Sequence, residues 1–294
     1  MDKVKKQGRI RKCVQALWGL LSNAHLAGFF KGTIYDGLLK RFCVPGMNCY
    51  SCPGALGACP IGALQNSFTG RKVKFPFYVL GFLLLVGVLV GRFICGWLCL
   101  FGLIQELLFK IPTKKITVPE KWDRPLRYLK YAVLAVLVIL LPIILRDEMG
   151  LSVPYFCAWL CPVGTLEAGL PLVLLNKGLR SAAHFLYVWK LGILGLVLLA
   201  SVFIHRPFCK YLCPLGAFYG LFSRISFLKI RLEKEKCVAC GACEKCCDMQ
   251  VKPQLDPNSA ECIRCGKCVA ACPAGALKFG FGTGEKKKTE NSGI

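Results

Sequence analysis

Charge is scarce in this chain, and acidic charge most of all. Of 294 residues only 19% are charged, with 16 Asp and Glu against 39 Lys and Arg. Beside 55% apolar residues, so small a charged fraction excludes an intrinsically disordered chain and a purely soluble domain. Histidine is rarer still. His25, His184 and His205 leave few ligands for a b-type haem, and no C-x-x-C-H occurs, which excludes covalently attached c-type haem. A cleavable signal peptide lacks its marks: polar residues break the first apolar run, and no small-x-small cleavage site stands out after it. The glycines of 280–284 lack the strand-to-helix context of a nucleotide loop.

Apolar residues and cysteine are plentiful. A mean hydropathy of +0.51 over this length exceeds what one globular core buries, so much of the chain is expected to lie in lipid. The 20 cysteines fit metal clusters better than a disulfide scaffold, because such scaffolds are short secreted modules without membrane spans. The formal charge of +23 does not point to nucleic acid. Basic residues flank the apolar runs, as in the cytoplasmic loops of membrane proteins, and do not line one face.

Four apolar runs are read as spans: residues 13–30, 75–91, 128–145 and 184–205. Each approaches the roughly 20 residues that cross hydrocarbon. Four spans place both termini on one side, and the basic residues of the N-terminal tail, of the linker after the second span and of the segment after the fourth assign that side to the cytoplasm. Loop 146–183, with three basic residues, agrees with this orientation, whereas loop 31–74, with six, does not.

The C-terminal region carries the most specific pattern. Cys237, Cys240, Cys243 and Cys247 follow C-x2-C-x2-C-x3-C, and Cys262, Cys265, Cys268 and Cys272 repeat it, the last followed by Pro273. This is the spacing of a bacterial two-cluster ferredoxin, in which the fourth cysteine of each run ligates the other cluster. The expected sets are Cys237, Cys240, Cys243 and Cys272, and Cys262, Cys265, Cys268 and Cys247. Zinc pairs are normally separated by a dozen residues or more, which disfavours zinc here. Cys246 is a rival to Cys247, but Cys247 preserves the spacing.

A second pattern is an internal repeat. Cys95 and Cys99, Cys157 and Cys161, and Cys209 and Cys213 are each spaced C-x-aromatic-Leu-C, and Gly102, Gly164 and Gly216 follow at one offset. Each pair ends an apolar span and opens a short apolar stretch, read as a half helix whose dipole favours a thiolate at its start. Two pairs on the cytoplasmic side, Cys95/Cys99 and Cys209/Cys213, supply four ligands for one further cluster, with Cys157/Cys161 on the outer side. The competing reading is a set of buried structural thiols.

A third group, Cys43, Cys49, Cys52 and Cys59, closes with Cys-Pro-x-Gly-Ala-Leu, as does the ferredoxin run after Cys272. Four cysteines so close in sequence are expected to hold a cluster unaided. Disulfides compete if this loop faces an oxidising exterior. Cys13 has no evident partner. Glu106 and Glu167 follow their cysteine pairs at nearly the same offset, read either as carboxylates at membrane depth or as interfacial ion pairs.

Cysteine pairs after membrane spans, followed by a two-cluster ferredoxin module, resemble the membrane polyferredoxin family of the NapH, NosR and YccM type. The similarity runs from the first span to about Leu277. The chain departs from the family at Leu100, where a proline is expected, and adds a third pair and the Cys43–Cys59 group. The resemblance implies one-electron transfer through at least two [4Fe-4S] clusters, with one or two more near the membrane. Its implied partners are membrane lipid and a ferredoxin, flavoprotein or reductase subunit, with quinone as a membrane-side partner. The protein would be an oxidoreductase subunit or electron carrier in the cytoplasmic membrane. The alternatives are a maturation factor that reduces a metal or cofactor of another enzyme, and a redox-sensing regulator.

The expected architecture is an α-helical membrane protein of about four spans plus half helices, with a C-terminal α+β two-cluster ferredoxin domain. Its parts are a basic cytoplasmic tail (1–12), a transmembrane region (13–230) holding the cysteine-rich loop 43–64, the ferredoxin domain (231–279) and a flexible basic tail (280–294).

Overall fold

The computed structural model describes residues 2–70, 75–146, 148, 150–181 and 184–282. Most of the basic C-terminal tail therefore falls outside the described residues.

Helices build the structure up to Leu221. Two are long and apolar enough to cross a membrane, Glu120–Ile144 and Phe185–Phe203, and they take in most of the third and fourth runs read from the sequence. Only 28% and 17% of their most apolar windows are buried, so most of this hydrocarbon faces outward. In Glu120–Ile144 the winding widens to π-type over Val133–Leu140. Pro142 follows, and a ring that crowds the carbonyl four residues earlier is a sufficient reason for the loosened turn.

The other two expected spans differ from the reading. The second is a helix of 14 residues, Phe77–Val90, about 21 Å long. The first is not continuous. One helix runs over Asp2–Ser22, taking in most of the supposed tail 1–12, and breaks before a short turn at Ala27–Lys31. Its buried face is polar: Arg11 donates to the Gly96 carbonyl (2.9 Å) and Gln15 to the Cys99 carbonyl (3.1 Å). These contacts tie one face of the helix to protein backbone.

Half helices fill the space between. In each C-x3-C pair the first cysteine lies in a short turn, Phe93–Trp97, Phe156–Leu160 or Pro207–Tyr211. The second caps the next helix, which starts at Leu100, Pro162 or Pro214. Cys59 caps Pro60–Thr69 in the same way. All four caps are extended, with ψ between 106° and 127°.

The C-terminal domain is α+β, as expected. Leu228–Leu232 pairs antiparallel with Leu277–Phe281, Leu228 opposite Phe281 and Leu232 opposite Leu277. The sheet thus begins three residues before the boundary read from sequence. Ile230, Leu277 and Cys268 are buried together beneath it.

Candidate functional site

In the C-terminal domain the two cysteine runs fold into matching loops. Ala239 and Arg264, inside the respective C-x2-C turns, have φ of 50°, and Gly241 and Gly266 follow at 71° and 78°. The left-handed region is open to glycine and strained for other residues, so the coiling of both loops depends on these two glycines. One cavity is lined by Cys237, Cys240, Cys243 and Cys272, the other by Cys247, Cys262, Cys265 and Cys268. Each loop is thus closed by a cysteine of the opposite run. Cys246 lines neither cavity; its thiol donates to the Cys243 carbonyl at 3.3 Å.

Burial pushes the Cys262 thiol up to about 12 and that of Cys246 to about 11, and it raises Cys247 and Cys268 as well. Cations placed among four such thiols would reverse that preference by stabilising thiolates. The Ala276 N–H already donates to Cys272 Sγ (3.3 Å), a hydrogen bond that favours the charged sulfur. Among the described residues no three His, Cys, Asp or Glu side chains converge closely enough to hold a single metal ion. Four thiols spaced around a cavity suit a polynuclear iron-sulfur centre better than zinc.

The half helices bring a third set together. Cys95, Cys99, Cys209 and Cys213 are mutually within electrostatic reach and all buried. Gln105 donates to Cys209 Sγ (3.2 Å), and the Gly216 N–H to Cys213 Sγ (3.3 Å). Two guanidiniums, each 0% exposed, hold the surrounding backbone: Arg206 donates to the Cys95 carbonyl (2.6 Å) and Arg92 to that of Cys209 (3.2 Å). Buried cations beside buried thiols fit an anionic centre at this point.

Glu106 belongs to an ion network here. Burial alone would raise its carboxyl, but Arg206, His205 and Arg11 outweigh burial and hold it well below the usual carboxylate range. Arg11 lies 2.5 Å from it and Arg206 2.8 Å. Of the two readings of Glu106, the ion pair is the one observed.

The same backbone receives the C-terminal domain. Glu261 meets Arg92 at 3.0 Å and Lys130 at 2.5 Å. Trp97 donates to the Arg264 carbonyl (3.0 Å), and Arg264 in turn to the Val90 carbonyl (2.7 Å). Gly96 faces the Ile263 carbonyl so closely that a Cβ there would collide with it. The loop bearing Cys262 and Cys265 is therefore seated directly on the turn bearing Cys95.

In the cysteine-rich loop Cys52 points to Asn23, while Cys49 and Cys59 lie within electrostatic reach of Cys157 and Cys161. Cys157 and Cys161 are not on a face remote from the other pairs. Met47 Sδ is 3.4 Å from Cys213 Sγ, and Cys49 is two residues further on, at most about 7 Å along the chain. Tyr219 is within electrostatic reach of Cys95 and Cys213 on one side and of Cys43 and Cys59 on the other.

Arg92, Arg206, Gln105, Glu261, Met47 and Tyr219 were not singled out in the sequence. The available signal was an arginine just before each of two cysteine turns, at positions 92 and 206.

A family model described as a 4Fe-4S binding domain matches residues 75–119, 149–175 and 185–235, stretches that contain all three C-x3-C pairs. A second, also described as a 4Fe-4S binding domain, matches residues 256–278, around the second cysteine run. Two uncharacterized proteins of Methanocaldococcus jannaschii are similar over most of their length. One is 30% identical over 78% of this chain and 80% of its own, the other 33% identical over 76% and 86%. The methylamine utilization ferredoxin-type protein MauN of Methylorubrum extorquens is 30% identical over 64% of this chain and 59% of its own. No solved structure matches the chain.

Proposed function

This chain belongs to the polyferredoxin-like family of 4Fe-4S binding proteins, and on that premise we propose that it is a membrane-anchored electron carrier linking a soluble redox partner to a membrane one. The [4Fe-4S] clusters supply one-electron exchange without bond making. The residues proposed to hold them are Cys237, Cys240, Cys243 and Cys272 at the outer ferredoxin-type site, Cys247, Cys262, Cys265 and Cys268 at the inner one, and Cys95, Cys99, Cys209 and Cys213 at the half-helix site.

One observation carries the reading: Gly96 lies against Ile263, which seats the inner ferredoxin-type loop on the half-helix site. Arg92, Lys130 and Glu261 lock that docking, so the sites keep a fixed order from surface to interior. Cys240 is exposed, and Val238 beside it is 68% exposed. A ferredoxin, flavoprotein or reductase subunit would dock over this loop, with a quinone or a membrane reductase as the second partner. Anchoring is supported by the outward apolar faces of Glu120–Ile144 and Phe185–Phe203. Together with Phe77–Val90 and Pro162–Leu175 they would make four spans, two of them short, with the ferredoxin domain in the cytoplasm.

The test is anaerobic. Washed membranes holding the protein should show its cluster EPR signals after addition of a reduced ferredoxin or a quinol. Release of the chain by alkaline washing, or clusters that neither class of donor reduces, would overturn the proposal.

A further inference from the structure

Cys59 and Cys161 cap their helices with the geometry of Cys99 and Cys213. At Cys161 the glycine three residues on, Gly164, donates its N–H to the sulfur at 3.4 Å, and Gly62 stands at the same offset from Cys59. The two glycines also mark where the thiols meet. A Cβ at Gly62 would lie 3.8 Å from Cys59 Cβ and 3.9 Å from Cys157 Sγ. One at Gly164 would lie 3.5 Å from Cys49 Sγ and 3.8 Å from Cys161 Sγ. Three sulfurs and the Cβ of a fourth cysteine, from two distant segments, thus gather around two side-chain-free positions.

Each segment positions the other's cysteine. Glu167, six residues after Cys161, accepts the Cys49 N–H at 2.7 Å. Gln65, six residues after Cys59, accepts the Cys157 N–H at 3.2 Å and anchors itself on the Leu137 carbonyl. At the half-helix site Gln105 stands six residues after Cys99 and accepts the Phe208 N–H at 3.2 Å. Lys190 donates to the Cys157 carbonyl (3.1 Å), a cation beside the gathered thiols as Arg206 is beside the other set.

From this correspondence we propose that Cys49, Cys59, Cys157 and Cys161 form a further [4Fe-4S] site, built like the half-helix site and separated from it by Met47 and Tyr219. The loop then donates only two of its four cysteines, and Cys43 and Cys52 are structural. Cys43 sits in an isolated bridge to Ala58, and Cys52 points to the Asn23 amide oxygen. The inference rests on the proposed function to the extent that half-helix thiols bind clusters at all.

Iron and acid-labile sulfide, with Mössbauer spectra, should be measured on full-length protein purified without oxygen. Cys49→Ser and Cys157→Ser are each expected to remove about a quarter of the iron, one cluster in four, while the ferredoxin-type EPR signals persist. Cys43→Ser and Cys52→Ser should leave the iron unchanged. Full iron in Cys157→Ser, or the same loss in Cys43→Ser, would overturn the site, as would a disulfide among these four in the wild type. Cys95→Ala separates the two readings: if it loses iron and Cys157→Ser does not, only the new site fails; if neither does, the half-helix reading fails with it. Should a variant be degraded, alkylation of the wild type decides. Cys49 and Cys157 should resist labelling while iron is bound and react after chelation, and equal labelling in both states refutes the proposal.

Discussion

Cys240 is exposed, whereas Cys95, Cys99, Cys209 and Cys213 are 8%, 7%, 5% and 5% exposed. The outer ferredoxin-type site is assembled by one short loop plus one returning cysteine and stays open to solvent. The half-helix site joins two segments more than a hundred residues apart and is closed by Arg92 and Arg206. The same thiols thus stand in opposite dielectric settings. Solvent and hydrogen bonding tune iron-sulfur potentials, so the two kinds of site should differ in potential although their ligands are identical.

Removing one ligand from each kind of site should sharpen that contrast most. Cys240→Ala is expected to remove about four irons and one ferredoxin-type EPR signal. Cys95→Ala should remove a similar amount and leave both ferredoxin-type signals intact. Loss of all signals in Cys95→Ala would show that the sites are not independent.

The docking between the two regions can be broken next. Glu261→Gln leaves Arg92 and Lys130, both 0% exposed, without their carboxylate. Leaving buried charges unpaired costs about 3–5 kcal/mol. Thermal unfolding should occur at lower temperature, and limited proteolysis should release the ferredoxin domain. Unchanged unfolding would mean that the interface does not depend on this carboxylate.

A smaller effect is expected from Gly96→Val, which thrusts a branched side chain at the Ile263 carbonyl. Overpacking of this kind costs about 1–3 kcal/mol. The iron content should stay whole while magnetic coupling between the inner ferredoxin-type cluster and the half-helix cluster weakens. Intact coupling would contradict the contact. The smallest change belongs to Cys246→Ala. Its thiol lines neither cavity, so iron content and EPR should match the wild type, and loss of a cluster would transfer the ligand role from Cys247.

The ferredoxin domain was legible because its spacing is local. Runs of C-x2-C-x2-C encode a loop, Gly241 and Gly266 mark its left-handed turns, and the fourth cysteine of each run lines the other run's cavity, as the two-cluster ferredoxin spacing implies. The third and fourth apolar runs were legible for a similar reason, since hydropathy reports length and burial along one helix. The first run is not one helix but breaks after Ser22. Arg11 and Gln15 look like the edge of a span, yet they are satisfied by the Gly96 and Cys99 carbonyls, partners about 85 residues away. The approach of Cys157 and Cys161 to Cys49 and Cys59 was not legible either, because nearness in sequence says nothing of nearness in space between segments about a hundred residues apart.

By itself the sequence determined that this chain binds [4Fe-4S] clusters, where its ferredoxin domain lies and which thiols are paired along the chain. Ligand spacing within a loop is a local property, fixed by a few dihedral angles. Which pair faces which other pair was decided only by tertiary structure. Four half helices, each capped by a cysteine, could be matched in several ways, and the choice rests on buried partners such as Glu167 for Cys49 and Gln65 for Cys157. A buried polar group must find its hydrogen bond wherever the fold offers one, and that place is set by the packing of distant segments.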